Sequence, residues 1–148
     1  MDLNNIVFRI VDHWSQDYRQ AIALRYKLLR QPLGLKFSST QFDEEAAHIH
    51  IVAKYQNQII AYLCFIPFNN GLLRMRQVAV KKELQGLGIG RNLVIFSEKI
   101  ALEKGFHEIF LHARENVIPF YFKLGYITIG EKFTEVNIPH RKMTKILS

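Results

Sequence analysis

Between residues 84 and 94 the chain reads LQGLGIGRNLV, with Gly86, Gly88 and Gly90 at alternate positions just after the apolar run Val78-Ala79-Val80. From Ile89 onward, Ile89, Leu93, Phe96 and Ile100 recur at the spacing of one helix face, and Gly105 is placed to end that helix. A strand therefore hands over to a helix through a glycine-rich turn. One glycine would satisfy a tight turn, so the other two predict that something approaches the backbone closely. The first N–H groups of a helix lack acceptors inside it, and the helix dipole adds partial positive charge there, so the natural guest is a phosphate or pyrophosphate.

Two familiar phosphate turns are excluded by the spacing. A dinucleotide-binding turn needs G-x-G-x-x-G, whereas Gly86, Gly88 and Gly90 follow G-x-G-x-G with no acidic residue ending a second strand about 20 residues on. A P-loop needs Gly-Lys followed by Ser or Thr, and here Gly90 precedes Arg91-Asn92.

The segments around the turn set the fold class. NIVFRIV reads as a first strand and residues 17–30 as a helix with Ala21, Leu24 and Leu28 on one face, stopped by QPLG. Residues 34–48 are polar and irregular, a loop with one turn of helix. Three apolar runs follow, HIHIVAKY, QIIAYLCFIPF and LLRMRQVAVK, joined by Gln56-Asn57 and by Asn69-Asn70-Gly71. Asn-Gly tolerates positive φ at both positions, so an antiparallel meander is predicted. After the glycine turn and its helix come a strand at HEIFLHA, a short helix in NVIPFYFKLG, and strands at YITIGEKF and KMTKIL. The order β, α, three β, α, β, α, β, β is that of a mixed α/β fold with helices on a largely antiparallel sheet.

Composition closes off other classes. An apolar fraction of 49% over 148 residues suffices for one core, and no repeat or linker divides the chain, so residues 1–148 are read as a single domain. No apolar run approaches the roughly 20 residues of a membrane span, and the amino terminus lacks a secretory pattern, which predicts a cytoplasmic protein with no membrane association. The lone Cys64 lies in an apolar run and reads as a buried thiol, with no metal or redox motif. The net charge of +7 would attract nucleic acid or a polyphosphorylated small molecule. Its basic residues are scattered, and no nucleic-acid-binding signature is present, so nucleic acid is not an expected partner.

The stretch Gln85-x-x-Gly88-x-Gly90 after Val78-Ala79-Val80 matches Q/R-x-x-G-x-G/A, and VIPFYFKLGY, residues 117–126, looks like A-x-x-F-Y-x-K-x-G-F. Through these motifs, in this order and separation, the chain resembles the Gcn5-related N-acetyltransferase (GNAT) superfamily over its whole length. LRYKLLRQPLG, His48 after DEEAA, and FTEVNIPHRKM resemble the bacterial subgroup typified by ElaA and YjcF. The resemblance implies the GNAT fold, a central, mostly antiparallel, splayed sheet flanked by helices. It implies acetyl-CoA as acyl donor, no metal, and transfer to a primary amine of a small-molecule or peptide acceptor by direct attack.

Mapped onto this chain, the backbone of Val78, Ala79 and Val80 would lie along the pantetheine arm. The amides of Gln85, Gly86, Leu87, Gly88, Ile89, Gly90 and Arg91 would hold the pyrophosphate, with Lys81, Lys82 or Arg91 adding charge. Tyr121 takes the family's general-acid position and would also touch the cofactor. Some members place a Glu or His base where this chain has Arg74 and Arg76, and a guanidinium accepts no proton at neutral pH. The base is then sought among His48, His50, His112, Glu135 and His140, or water reaching them, with His112 and His140 preferred. Arg114 replaces an asparagine that contacts the cofactor in many members and is expected to take over that contact; Asn116 is read as a helix cap. Arg30, Arg74 and Arg76 predict an acceptor with a carboxylate or phosphate, and His48 is placed with them. The absent strand glutamate favours one alternative, a module that binds acyl-CoA without chemistry. The apolar strand edge near the carboxyl terminus permits a homodimer without requiring one.

Overall fold

The structure, a computed structural model, describes residues 1–148. Seven strands form one sheet in the order β1-β2-β3-β4-β5-β7-β6. Strands β2 (Ile49–Tyr55), β3 (Gln58–Pro67) and β4 (Leu72–Val80) make the predicted antiparallel meander, and β1 (Val7–Val11) extends it antiparallel to β2. Its turns have the anticipated chemistry, with positive φ at Gln56 and Asn57 and again at Asn70 and Gly71. Strand β5 (Glu108–Arg114) joins β4 in parallel, and β7 (Ile138–Ile146) sits between β5 and β6 (Ile127–Glu135), antiparallel to both.

Helices cover both faces of the meander. Helix α3 (Ile89–Glu103) buries Ile89, Leu93, Val94 and Ala101 against Ile51, Ala61, Leu63 and Phe65. The intervening residues Val52, Tyr62 and Cys64 point the other way and meet Tyr18 and Ala21 of α1 (Gln16–Arg25). Truncating a fully buried leucine such as Leu93 to alanine should cost about 2–5 kcal/mol. Cys64 is buried, its thiol 3.6 Å from the Arg76 carbonyl.

The sheet opens where the site will lie. Strand β4 pairs with β5 only from Leu72 to Met75, opposite Glu108 to Leu111, although β4 continues to Val80. Gln77 adopts positive φ, +57°, and the β3–β4 register shifts beside it, between Tyr62 and Cys64. This bulge turns β4 away from β5, leaving the β5-facing side of residues 76–80 without a strand partner.

Two local expectations are corrected. The helix expected over residues 17–30 is regular only to Arg25; residues 26–30 form a wider π-type turn, closed by the Gln31 amide on the Tyr26 carbonyl. Pro32 then ends the amide supply, and Gly34 finishes the segment in the left-handed region at φ +68°. Asn116 caps nothing: neither the 3-10 turn Glu115–Val117 nor α4 (Ile118–Lys123) has a side-chain cap. Residues 34–48 hold a short helix, α2 (Ser39–Glu44), capped by Ser38 Oγ on the Gln41 amide.

That segment is tied down by a buried ion pair. Arg25 donates from both terminal nitrogens to Glu45, at 2.8 and 2.7 Å, and Tyr18 donates to the same carboxylate at 2.7 Å. Burial pushes the Glu45 carboxyl up, but these bonds and the Arg25 charge outweigh it and hold the group below its ordinary value.

Candidate active site

A cavity of about 880 Å³ occupies the opening between β4 and β5. One part of its lining is the glycine turn. Backbone bonding inside α3 begins with the Asn92 amide on the Gly88 carbonyl, so the amides of residues 86–91 donate to nothing in the chain. Gly86 and Gly88 both take the left-handed conformation, at φ +85° and +86°, with nothing within 4 Å of a notional Cβ. Space and free donors coincide, which is what a phosphate needs.

Gly90 has a different reason. A Cβ there would meet Val80 Cγ2 at 3.3 Å and Phe120 at 3.6 Å, so this glycine lets α3 pack close to β4 and α4 while its backbone still lines the cavity. Gln85 also works inside the protein, its side-chain amide donating to the Val80 carbonyl at 3.0 Å and fastening the turn to the strand end. The Leu87 side chain is exposed and does not line the cavity. Val78, Ala79, Val80, Arg91 and Arg114 do line it.

Tyr121, on α4, also faces the cavity. It is 7% exposed, packs edge-on against Phe120 and Tyr126, and its hydroxyl has no hydrogen-bond partner in the chain. Burial alone pushes its phenol upward, so it keeps its proton at neutral pH and presents a free donor.

Four polar side chains of the lining, Arg74, His112, Glu135 and His140, form one connected cluster. His112 Nδ1, on β5, lies 2.9 Å from Arg74 Nη2 on β4 and 3.2 Å from Glu135 Oε1 at the end of β6. An unprotonated Nδ1 accepts from Arg74; a protonated Nδ1 donates to Glu135. A single proton thus decides which neighbour the ring uses. His140 Nδ1 donates to the Ile138 carbonyl at 2.7 Å, leaving Nε2 as the proton-accepting nitrogen, 3.6 Å from Glu135 Oε2. Glu135 leads into the β6–β7 hairpin through Val136 and Asn137, both at positive φ. For β-branched Val136, at +45°, that is a strained conformation held at the site itself.

Burial lowers the His112 ring below its ordinary value of 6.5, with the Arg74 and Lys142 charges adding to this and Glu135 opposing it. Glu135 is raised by burial but lowered more by His112, His140 and Arg74, so its carboxyl sits below the usual value. The pair at neutral pH is a carboxylate and a neutral imidazole. It has room for one proton.

Of the preferred bases, His112 and His140 both belong to this cluster, joined by Glu135. His48 and His50 do not reach it. His50 is buried beneath α1, bonded to the Tyr62 hydroxyl and the Glu45 carbonyl, and His48 does not line the cavity. Arg30, Arg74 and Arg76 do line it. The Glu135–His112–His140 grouping was not readable from spacing, since 23 residues separate His112 from Glu135 and the sheet order alone unites them. No helix is long and apolar enough to cross a membrane, and no group of three His, Cys, Asp or Glu side chains is placed to hold a metal ion.

A splayed sheet whose opening receives the free amides of a glycine-led helix defines the class of the acyl-CoA N-acyltransferase fold. The family assignment follows from sequence: the Acetyltransferase (GNAT) family model matches residues 9–126, and the chain belongs to that family of acyltransferases. It is 30% identical to the "Putative acetyltransferase BSU40680" of Bacillus subtilis (strain 168), over 88% of this chain and 90% of the relative. It is 32% identical to the "Uncharacterized N-acetyltransferase YjcF" of the same organism, over 51% of this chain and 55% of that protein. In fold it is similar to Escherichia coli ElaA, with a TM-score of 0.82 at 18% identity over 95% of this chain and 99% of the other. An aminoglycoside 6'-N-acetyltransferase complexed with coenzyme A superposes with a TM-score of 0.78 at 19% identity, over 95% and 96% of the two chains.

Proposed function

We propose that residues 1–148 form one catalytic unit that transfers the acetyl group of acetyl-CoA to a primary amine. The observation that carries this reading is the cavity itself, which combines six unused backbone amides, a protonated free phenol and a carboxylate–imidazole pair. The open space at Gly86 and Gly88 fits a pyrophosphate on the amides of residues 86–91, with Arg91 and Arg114 supplying charge nearby. The unpartnered side of residues 76–80 fits the pantetheine amides. The coenzyme A complex of the similarly folded aminoglycoside acetyltransferase adds weight to this choice of donor.

Acetyl-CoA supplies an activated thioester carbon. The Glu135–His112 pair takes the proton from the attacking amine, directly or through a water, as the N–C bond forms. Tyr121 delivers its proton to the sulfur as the C–S bond breaks. Arg74 holds the unprotonated His112, and His140 keeps Glu135 company from the other side. Holding both reactants in one cavity removes a large part of the entropic barrier, so no covalent enzyme intermediate is required. The carboxylate missing from β4 is replaced by one reaching in from β6, which removes the main argument for a module without chemistry.

The test is thiol release from acetyl-CoA in the presence of amine acceptors, with Tyr121→Phe beside the wild type. The expected outcome is acceptor-dependent release that falls about 10- to 100-fold in the variant while acetyl-CoA binding stays within about twofold. Release unchanged by Tyr121→Phe would remove the phenol from the reaction.

A further inference from the structure

Three arginines share the cavity with the proton-accepting cluster, and their surroundings differ. Arg74 is engaged, its Nη2 on His112 and 3.8 Å from Glu135. The guanidinium groups of Arg30 and Arg76 have no hydrogen-bond or ion-pair partner in the chain, although both residues are half-buried and line the cavity. The Arg30 guanidinium carbon lies over the Phe37 ring, 4.9 Å from its centroid, and Arg25 approaches the same ring at 4.8 Å. This cation–π contact helps to hold the Arg30 side chain and uses none of its N–H donors.

The charge balance around them is uneven. Burial and then the Arg76 charge push the Arg30 group down, and burial and then Arg76 do the same to Arg74, with Glu135 opposing in both cases. The carboxylates that act on these arginines are already taken, Glu135 by His112, His140 and Arg74, and Glu45 by Arg25 and Tyr18. Cations left half-buried along one cavity without partners cost stability unless a ligand supplies the missing negative charge. The pyrophosphate assigned to the glycine turn is not the natural source of that charge, because Arg76 sits on β4 beside Arg74's end of the cavity, four residues before Val80, where Gln85 fastens that turn. The wide π-type turn over residues 26–30 is what brings Arg30 to the cavity, and the Arg25–Glu45 pair holds Phe37's segment over it.

We infer that the acceptor carries a carboxylate or a phosphate a few bonds from its reacting amine, and that Arg30 and Arg76 bind this anion while Arg74 stays with His112. The inference rests on the acetyltransferase reading and narrows its acceptor to amino acids, amino-terminal acidic peptides or phosphorylated amines. Polyamines and aminoglycosides, which are cationic at neutral pH, lack the anionic group that the two arginines would hold.

The experiment compares matched acceptors in the thiol-release assay: L-amino acids against their carboxamides, and phosphoethanolamine against ethanolamine. The expected wild-type preference is about 10- to 100-fold in kcat/KM for the anionic member, the worth of a forked, charge-assisted pair. Preference in the first pair alone identifies a carboxylate; preference in the second alone identifies a phosphate. In Arg30→Gln and Arg76→Gln the preference should collapse to within about threefold through a rise in KM, with Arg→Lys at either position keeping part of it. Equal use of neutral and anionic acceptors overturns the inference and leaves the acetyltransferase reading intact, as does a preference that survives both glutamine variants.

If no acceptor is turned over, the coenzyme A complex is melted with and without succinate or inorganic phosphate. A rise in Tm with either anion that disappears in Arg76→Gln upholds the anion site and points to an acceptor outside the panel. No rise with either anion overturns it.

Discussion

The two ends of the cavity are built on opposite principles. The turn at residues 84–91 offers backbone: amides left over at a helix start, and two glycines whose positive φ keeps the space open. The end proposed for the acceptor offers side chains, Arg30, Arg74, Arg76, His112, Glu135 and His140, drawn from the π-type turn and four strands. A backbone site depends on local conformation and tolerates change in most side chains around it. A side-chain site depends on tertiary placement, and can be retuned one residue at a time without disturbing the other end. The same scaffold can thus keep one donor while its acceptor varies.

This contrast predicts effects that separate cleanly. The largest belongs to the acceptor end. Glu135→Gln should lower kcat/KM about 10²- to 10⁴-fold and leave acetyl-CoA affinity nearly unchanged. The acid limb of the pH–rate profile, below the ordinary histidine value of 6.5 in the wild type, should move lower still in this variant, because the carboxylate that favours the charged His112 ring is gone. His112→Ala and His140→Ala should each lower kcat and alter the same limb. A profile identical to wild type in all three would dissolve the cluster's role.

Next comes the support of the acceptor end. Glu45→Gln leaves Arg25 charged and buried without a counter-ion, which should cost about 3–5 kcal/mol of stability, read by chemical denaturation. In the fraction that remains folded, acceptor KM should rise while acetyl-CoA affinity holds. Equal losses at both ends would mean that the segment over residues 34–48 serves the whole cavity.

The smallest is a pH effect on stability. Burial lowers His50 from 6.5 to about 4. Between these values the unfolded chain binds a proton that the folded chain refuses, so the contribution is fully present above about pH 6.5, declines as pH falls toward 4, and is then gone. The span amounts to about 3 kcal/mol. Unfolding free energy that is flat from pH 7 to 4.5 would contradict it.

What could be read from the sequence follows the same division. The meander, the glycine turn and α3 rest on local chemistry, namely turn residues that accept positive φ and an apolar stripe at helical spacing, and all appear where expected. One local reading failed for a physical reason: Asn116 caps nothing because residues 115–117 form a 3-10 turn without a side-chain cap. Gly90 serves close packing as well as lining the cavity, and His48 lies off the cavity. The insertion of β7 between β5 and β6, which carries His140 and Glu135 to His112, is a long-range event with no periodic signature. The arginines could be nominated from the strand and helix they occupy, but not their lack of partners.

Whether the glycine turn holds the phosphates of acetyl-CoA is decided by calorimetric titration of acetyl-CoA into the wild type and Gly88→Glu. Saturable binding to the wild type and its loss in the variant are expected, since a carboxylate at φ +86° would stand in the open space before the free amides. A cooperatively melting wild type that binds no acetyl-CoA, or a folded variant that binds it equally well, would overturn that role for the turn.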